Sequence, residues 1–199
     1  MQWLFREKPA HFLVGSLWEM SGQALNVSAV ARRMKVTRPT ARARIRKLER
    51  EDLILLLPGL NGGRPLLYVK GTFAGAWVSR VIERIRESRP DASFFWWRTG
   101  RVRRISLISQ VGGRRIGFQF SEDIIQNRTW WPLVIARHRG IIQRGYLLHA
   151  GTRAFSIRRD IYGLPLYLFT DRAEDWMFRF EDPREIMATI IRYNSKPFL

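Results

Sequence analysis

The fold is decided by the stretch Leu25–Lys70, LNVSAVARRMKVTRPTARARIRKLEREDLILLLPGLNGGRPLLYVK. Its first part predicts a short helix that ends at Met34 or Lys35 and is followed by a tight turn. Thr37 then stands where a hydroxyl can cap a second helix, which carries arginines on its exposed side. Two helices joined in this way predict a helix-turn-helix.

A hairpin is expected directly after the second helix. The apolar runs 53–57 and 66–69 flank a connection, 58–65, that is rich in glycine and proline and contains Arg64. This pattern indicates two strands with a flexible basic tip. A helix-turn-helix followed by such a hairpin predicts a winged helix, with its first helix at 9–20. Winged helices also serve as protein–protein modules, so the fold alone does not fix the function.

The second helix has an apolar face and a basic face. Ala41, Ile45 and Leu48 recur at helical spacing and should pack on the core, which leaves the basic side chains outside. Residues in the first turns of such a helix meet base edges, while later ones meet phosphates. A basic helix face can simply be solvated. Its coincidence here with a capped turn and a basic tip favours contacts with double-stranded DNA. We predict these contacts at Thr37, Arg38, Thr40, Arg42, Arg46, Lys47, Arg50 and Arg64.

Composition points to the same class of partner. The 199 residues include 35 Lys and Arg against 17 Asp and Glu, a formal net charge of +18. Such an excess attracts polyanions. Nucleic acid is therefore the leading partner, although a role in solubility or binding to anionic lipid would also use this charge. The apolar content of 46% is ample for buried cores.

Several chemistries are excluded or unexpected. No cysteine is present, which excludes disulfides, thiolate metal sites and cysteine nucleophiles. The histidines His11, His138 and His149 are scattered without metal-site spacing, so we expect no metal and no cofactor. No apolar run suffices to span a bilayer, and the first residues lack the apolar core of a secretory signal. We expect a prokaryotic cytoplasmic protein, associated with the nucleoid and not with a membrane.

The second half of the chain predicts a separate α/β domain, so we divide the chain into domains 1–70 and 71–199. A helix over 71–90 should link them. Strands are expected at 93–98, 102–111 and 114–121, with a Gly112–Gly113 turn and a half-buried third strand, because RRIGFQFS alternates. We further expect a helix within 122–140, a short buried strand at 145–149, an extended segment at 161–169 that closes the sheet, and a final helix at 182–193.

This order of elements resembles the PD-(D/E)XK, or restriction-endonuclease-like, fold. The segment FFWWRTGRVRRISLISQVGGRRIGFQFSED is similar to the C-terminal region of a prokaryotic family of AAA-type ATPases of unknown function. RGYLLHAG and YGLPLYLF resemble later segments of that family, and the winged helix occupies the matching place. The resemblance covers roughly residues 25 to 170. The ATPase part is missing, since no G-x-x-x-x-G-K-[ST] motif occurs.

The resemblance implies nuclease chemistry that needs a helix Glu, a strand Asp and an acidic residue with Lys on the next strand, because carboxylates hold Mg²⁺. The matching positions in this chain are Ser79 on the helix, Arg104 and Ser106 on the first strand, and Gln119 and Ser121 on the second. Neutral oxygens and a guanidinium cannot displace the water shell of Mg²⁺. The domain is therefore expected to be a catalytically inactive nuclease-like scaffold, unless the adjacent Glu122 and Asp123 have taken over metal binding.

Other catalytic patterns are weaker. No G-x-S-x-G, H-E-x-x-H or dinucleotide motif is present. A set of acidic residues near the end of the chain could supply paired catalytic carboxylates, although acidic residues are equally expected in solvated loops and helix caps. The set comprises Asp160, Asp171, Glu174, Asp175, Glu181 and Asp182. The aromatic-basic pairs at 95–98 and 128–131 could stack on bases, although core or dimer packing is the commoner role of such tryptophans.

The sequence thus predicts a non-enzymatic, double-stranded DNA-binding protein, acting as a homodimer in the regulation of transcription or as an accessory factor. Secondary contacts with the DNA backbone are expected from the second domain at Arg101, Arg103, Arg104, Arg114 and Arg115. Two alternatives stay open. One is a scaffold or adaptor that binds a protein partner such as an ATPase or a nucleoprotein. The other is a divergent metal-dependent nuclease.

Overall fold

The computed structural model describes residues 14–99, 103–122 and 127–166, together with Ala188. The chain divides into two compact units, Met1–Ser79 and Arg80–Leu199. The division falls inside a helix that continues from one unit into the other, α3 (Phe73–Ser88). Both units contain helices and strands, and the second holds a six-stranded sheet. The predicted α+β class is therefore confirmed.

The described part of the first unit contains short helices and three short strands, and it ends within α3. A helical segment at 14–17 leads into a 3-10 turn, Trp18–Met20, so the predicted first helix is confirmed only in part, and residues 9–13 lie outside the described residues. The remaining elements are β1 (Gln23–Ala24), α1 (Val27–Arg33), α2 (Arg38–Arg50), β2 (Ile54–Leu57) and β3 (Leu66–Val69).

Side-chain caps set the starts of α1 and α2. The Asn26 side chain accepts hydrogen bonds from the backbone N–H groups of Ser28 and Ala29. The Thr37 hydroxyl accepts from the N–H of Thr40 at 3.4 Å, which confirms its predicted capping role. Between the helices Lys35 adopts a φ of 51°, so the chain reverses within a few residues. The predicted tight turn is confirmed.

The three strands form a sheet in the order β1-β3-β2. The β2–β3 hairpin is antiparallel, with Ile54 opposite Val69 and Leu57 opposite Leu66. All four residues of β3 are buried, and β1 pairs with its other edge. The core beneath this sheet includes Leu17, Val30, Ala41, Ile45, Leu48, Ile54, Leu67 and Val69.

The second unit is organised around its six-stranded sheet, whose strand order is β4-β5-β6-β7-β9-β8. The strands are β4 (Ser93–Thr99), β5 (Arg103–Val111), β6 (Arg114–Ser121), β7 (Arg144–His149), β8 (Phe155–Arg158) and β9 (Ile161–Pro165). The pairs β6–β7 and β7–β9 are parallel, and the other three pairs are antiparallel. The helix α4 (Asn127–His138) connects β6 to β7.

Strand β6 is covered on both faces at its centre, so the predicted half-buried strand is wrong there. Phe118 is fully buried on one face. On the other face Gly117 lies under α4, and a Cβ placed on it would meet Leu133 and Ile142 at about 3 Å. The absence of a side chain at Gly117 thus lets the helix approach the strand closely.

The far edge of the sheet also differs from the prediction. The segment that begins at Ile161 was expected to close the sheet, but β9 lies inside it and β8 forms the edge. Strand β8 was missed because its short alternating segment is paired only through tertiary contact with β9. The predicted helix at 182–193 lies outside the described residues, apart from Ala188, which is helical.

Candidate nucleic-acid interface

Helix α2 has one buried face and one basic face. Ala41 and Leu48 are fully buried and Ile45 is 3% exposed. The predicted DNA contacts on this helix and its cap are all exposed: Thr37, Arg38, Thr40, Arg42, Arg46, Lys47 and Arg50. The fold therefore anchors α2 through its apolar stripe and presents these side chains together on the surface.

Several of these side chains are not neutralised. Lys47 lies 3.6 Å from Glu51, one turn along the helix, and the Nε of Arg50 donates to the carbonyl oxygen of Arg46. Within the described part of the chain no carboxylate pairs with the guanidinium groups of Arg38, Arg42 or Arg46. Their charge is therefore available to an anion from outside.

Arg64 lies in the connection between β2 and β3 and is exposed. It follows Gly62 and Gly63, whose φ angles of 80° and 95° belong to the left-handed region that glycine tolerates. The N–H of Gly62 donates to the carbonyl oxygen of Gly59, which closes a turn in this connection. The hairpin tip thus carries a single arginine on an open loop.

A cleft of about 620 Å³ lies beside the turn between α1 and α2. Its wall includes the predicted residues Thr37 and Arg38, and it adds Arg32 and Lys35, both exposed. The sequence analysis assigned no role to these two cations. The sequence could have indicated where Arg32 and Lys35 lie. A tight turn after α1 brings the basic last turn of that helix close to the start of α2.

The nuclease-like positions are brought together in part. Ser106 donates through its backbone N–H and its hydroxyl to the side-chain oxygen of Gln119, at 3.0 and 3.1 Å. Arg104 and Ser121 are half-buried and, by strand alternation, lie on the same sheet face as Ser106 and Gln119. Ser79 lies on α3; it is buried, and within the described part of the chain its hydroxyl has no hydrogen-bond partner.

His149 lies next to this row, since β7 places it in register with Ser121. Its side chain is 2% exposed, its Nδ1 accepts from the N–H of Gly151 at 3.0 Å, and its ring packs against Phe155. Because Nδ1 is an acceptor, Nε2 carries the proton, and this N–H has no hydrogen-bond partner among the described residues. Burial lowers the pKa of His149 below 6.5, so the ring is neutral at pH 7.

The predicted secondary arginines have different surroundings. Arg114 is exposed, whereas the half-buried Arg115 donates through Nε to the side-chain oxygen of Gln110 at 2.8 Å. Arg101 and the side chain of Arg103 lie outside the described residues. The structure therefore places Arg115 in a cross-strand contact within the sheet.

The acidic residues are only partly described. Glu122 is exposed, and Asp160 is buried beside Arg137. Asp123, Asp171, Glu174, Asp175, Glu181 and Asp182 lie outside the described residues. In the described ranges no three His, Asp or Glu side chains come together in a way that could hold a metal ion.

Comparisons with protein-family models, with curated proteins and with solved structures find no match. The resemblance to the ATPase family therefore stays a prediction. Among residues 14–99, 103–122 and 127–166 no helix has the length and apolar character needed to cross a membrane.

Proposed function

We propose that the first unit is a winged helix that binds double-stranded DNA, and that the protein acts in transcription regulation or as a DNA-binding accessory factor. The observation that carries this proposal is the basic face of α2. Arg38, Arg42 and Arg46 are exposed on a helix whose apolar residues Ala41, Ile45 and Leu48 are buried in the core. A rigid helix with unneutralised arginines suits insertion into the major groove.

On this proposal, the position of each basic residue in the first unit determines which part of the DNA it contacts. Arg38, Thr40 and Arg42 in the first turns of α2 meet base edges, while Arg46, Lys47 and Arg50 meet phosphates. Arg32 and Lys35 in the neighbouring cleft add further phosphate contacts, and Arg64 reaches the backbone from the wing. Binding then depends steeply on salt, because each neutralised phosphate releases counterions.

The second unit, on the same proposal, is a PD-(D/E)XK-like frame that has lost its metal site. The contact between Ser106 and Gln119 supports this, since two neutral side chains satisfy each other where the related nucleases would hold a metal between carboxylates. We propose that this unit adds backbone contacts through Arg114, which is exposed. Assembly into a homodimer, in which two copies of α2 would read two half-sites, and recruitment of a partner ATPase both stay predictions.

Fluorescence anisotropy with a labelled duplex of random sequence tests the proposal across a salt titration. We expect tight binding at low salt and a steep loss of affinity as salt rises. Arg42→Ala together with Arg46→Ala should weaken binding by about tenfold or more and make the salt dependence shallower. The matched control is Arg89→Ala with Arg153→Ala, which removes the same charge from exposed positions in the second unit.

Two outcomes would contradict DNA binding by α2. One is absence of affinity at low salt, which would favour the scaffold or adaptor alternative. The other is an equal loss of affinity in the Arg42/Arg46 variant and in the control, because net charge alone would then explain the interaction.

A further inference from the structure

The second unit contains a cleft that the DNA-binding proposal does not use. It has a volume of about 490 Å³ and lies between the last turn of α4 and the turn that joins β8 to β9. Val134 and Ile161 contribute an aliphatic part of the wall, and the remaining lining is charged or polar. A volume of this size falls within the range of small-molecule sites.

The centre of the cleft is an ion pair with a fixed geometry. Asp160 is 8% exposed and adopts a φ of 63°, while its carbonyl oxygen accepts from the N–H of Gly145 at 2.9 Å. Its carboxylate accepts from Arg137 Nη2 at 2.8 Å and from Arg137 Nε at 3.3 Å. The buried aspartate therefore holds one edge of the guanidinium and leaves its other N–H donors for a ligand.

The charge in the cleft favours an anion. Arg137, Arg158 and Arg159 line it against the single carboxylate of Asp160, which gives a formal charge of +2 for these four residues. Arg158 and His138 are exposed, and Arg159 is 88% exposed with its Nε 3.9 Å from the aspartate. Because α4 contributes its C-terminal turn, where carbonyl groups carry partial negative charge, the attraction comes from these side chains alone.

We infer that this cleft binds a phosphomonoester of the nucleotide class. An oriented guanidinium matches two phosphate oxygens, and the flanking arginines supply the charge that a dianion needs. The half-buried side chain of Val134 offers an aliphatic contact to the sugar or base that carries the phosphate. The ligand is either a free mononucleotide or the 5′-phosphorylated end of a nucleic-acid strand, which share this group.

Isothermal titration calorimetry on the full chain, at low salt, tests the inference with five probes: inorganic phosphate, AMP, adenosine, and a short single strand with and without a 5′-phosphate. AMP should bind, adenosine should bind much more weakly, and phosphate should lie between them. Tighter binding of AMP than of the phosphorylated strand identifies a free nucleotide as the ligand, and the reverse order identifies a strand end.

Two variants locate the site. Arg158→Gln with Arg159→Gln should weaken AMP binding by about tenfold or more. Arg137→Lys keeps the charge but loses the planar fork, and should weaken it by about tenfold. If Arg137→Lys disturbs folding, the variant with Arg158→Gln and Arg159→Gln still tests the site, because both of these residues are exposed. The control Arg89→Gln with Arg153→Gln removes the same charge as the first variant and should leave the affinity unchanged.

Absence of AMP binding, equal affinity for adenosine and AMP, or the same loss in the control variant would each overturn the inference. The result is independent of the winged-helix proposal. Arg42→Ala with Arg46→Ala should weaken duplex binding by about tenfold or more and leave AMP binding intact, so the failure of one proposal is distinguishable from the failure of the other.

Discussion

Gly75 shows how one missing side chain fixes the start of a helix. A Cβ at this position would lie 2.0 Å from the carbonyl oxygen of Val69, far inside van der Waals contact. That oxygen also accepts from the N–H and the hydroxyl of Thr72, at 3.0 and 2.7 Å, so it is not free to move. We predict that Gly75→Ala lowers the free energy of unfolding by about 1–3 kcal/mol or more. Urea denaturation followed by circular dichroism measures the change.

The matched control is Gly15→Ala, since Gly15 is helical and a Cβ there would meet no atom of the described residues within 4 Å. Alanine favours a helix over glycine by up to about 1 kcal/mol, so this variant should be neutral or slightly more stable. If the two variants had equal free energies of unfolding, a side chain at position 75 would not collide with the carbonyl oxygen of Val69, and the prediction would be wrong.

His149 predicts a dependence of stability on pH. Burial lowers its pKa in the folded state, while the unfolded chain binds the proton near pH 6.5. Above pH 6.5 both states hold a neutral ring, and the free energy of unfolding is unaffected by this group. As the pH falls below 6.5, only the unfolded state takes up the proton, so stability decreases until the lower folded pKa is reached.

The comparison of wild type with His149→Asn isolates this effect. Asparagine can still accept from the N–H of Gly151 but does not titrate, so the decrease below pH 6.5 should be smaller in the variant. Urea unfolding at a series of pH values provides the measurement. Repulsion between the positive charges of the chain at low pH is common to both proteins. If the free energy of unfolding fell equally with pH in both, His149 would be excluded as the source of the decrease.

The elements that were predicted correctly are those whose signals lie within their own residues. Helix α2 combines a capping threonine, a proline in its first turn and apolar residues at spacings of four and three. The β5–β6 hairpin is marked by alternation around Gly112 and Gly113, whose φ angles of 52° and 80° are both positive. Local chemistry decides each of these, so single-sequence reasoning suffices.

The elements that were missed depend on partners distant in sequence. Strand β1 comprises two residues and exists only because Gln23 and Ala24 pair with β3. Strand β8 likewise depends on β9. In the candidate site the exposure of the α2 arginines followed from helical periodicity, whereas the contact of Ser106 with Gln119 requires the register of β5 and β6, which no local pattern specifies.

The charge of +18 and the proposed nuclease-like frame of the second unit lead to different expectations about DNA. The charge favours binding, whereas hydrolysis requires a metal ion held by carboxylates. The described residues at the nuclease-like positions are neutral or cationic, and Ser106 and Gln119 already bond to each other. We therefore predict a protein that binds DNA without cutting it.

Incubation of supercoiled plasmid with saturating protein and Mg²⁺ or Mn²⁺ should leave the plasmid intact, as gel electrophoresis would show. The Arg42→Ala, Arg46→Ala variant, purified identically, serves as the control, because a contaminating nuclease would cut in both preparations while an intrinsic activity would follow DNA binding. Nicking by the wild type that is lost in this variant and also lost on Glu122→Gln would contradict the prediction. It would place a metal ligand at Glu122, an exposed carboxylate directly after β6, and would make the second unit an active nuclease whose ligands have moved along the strand.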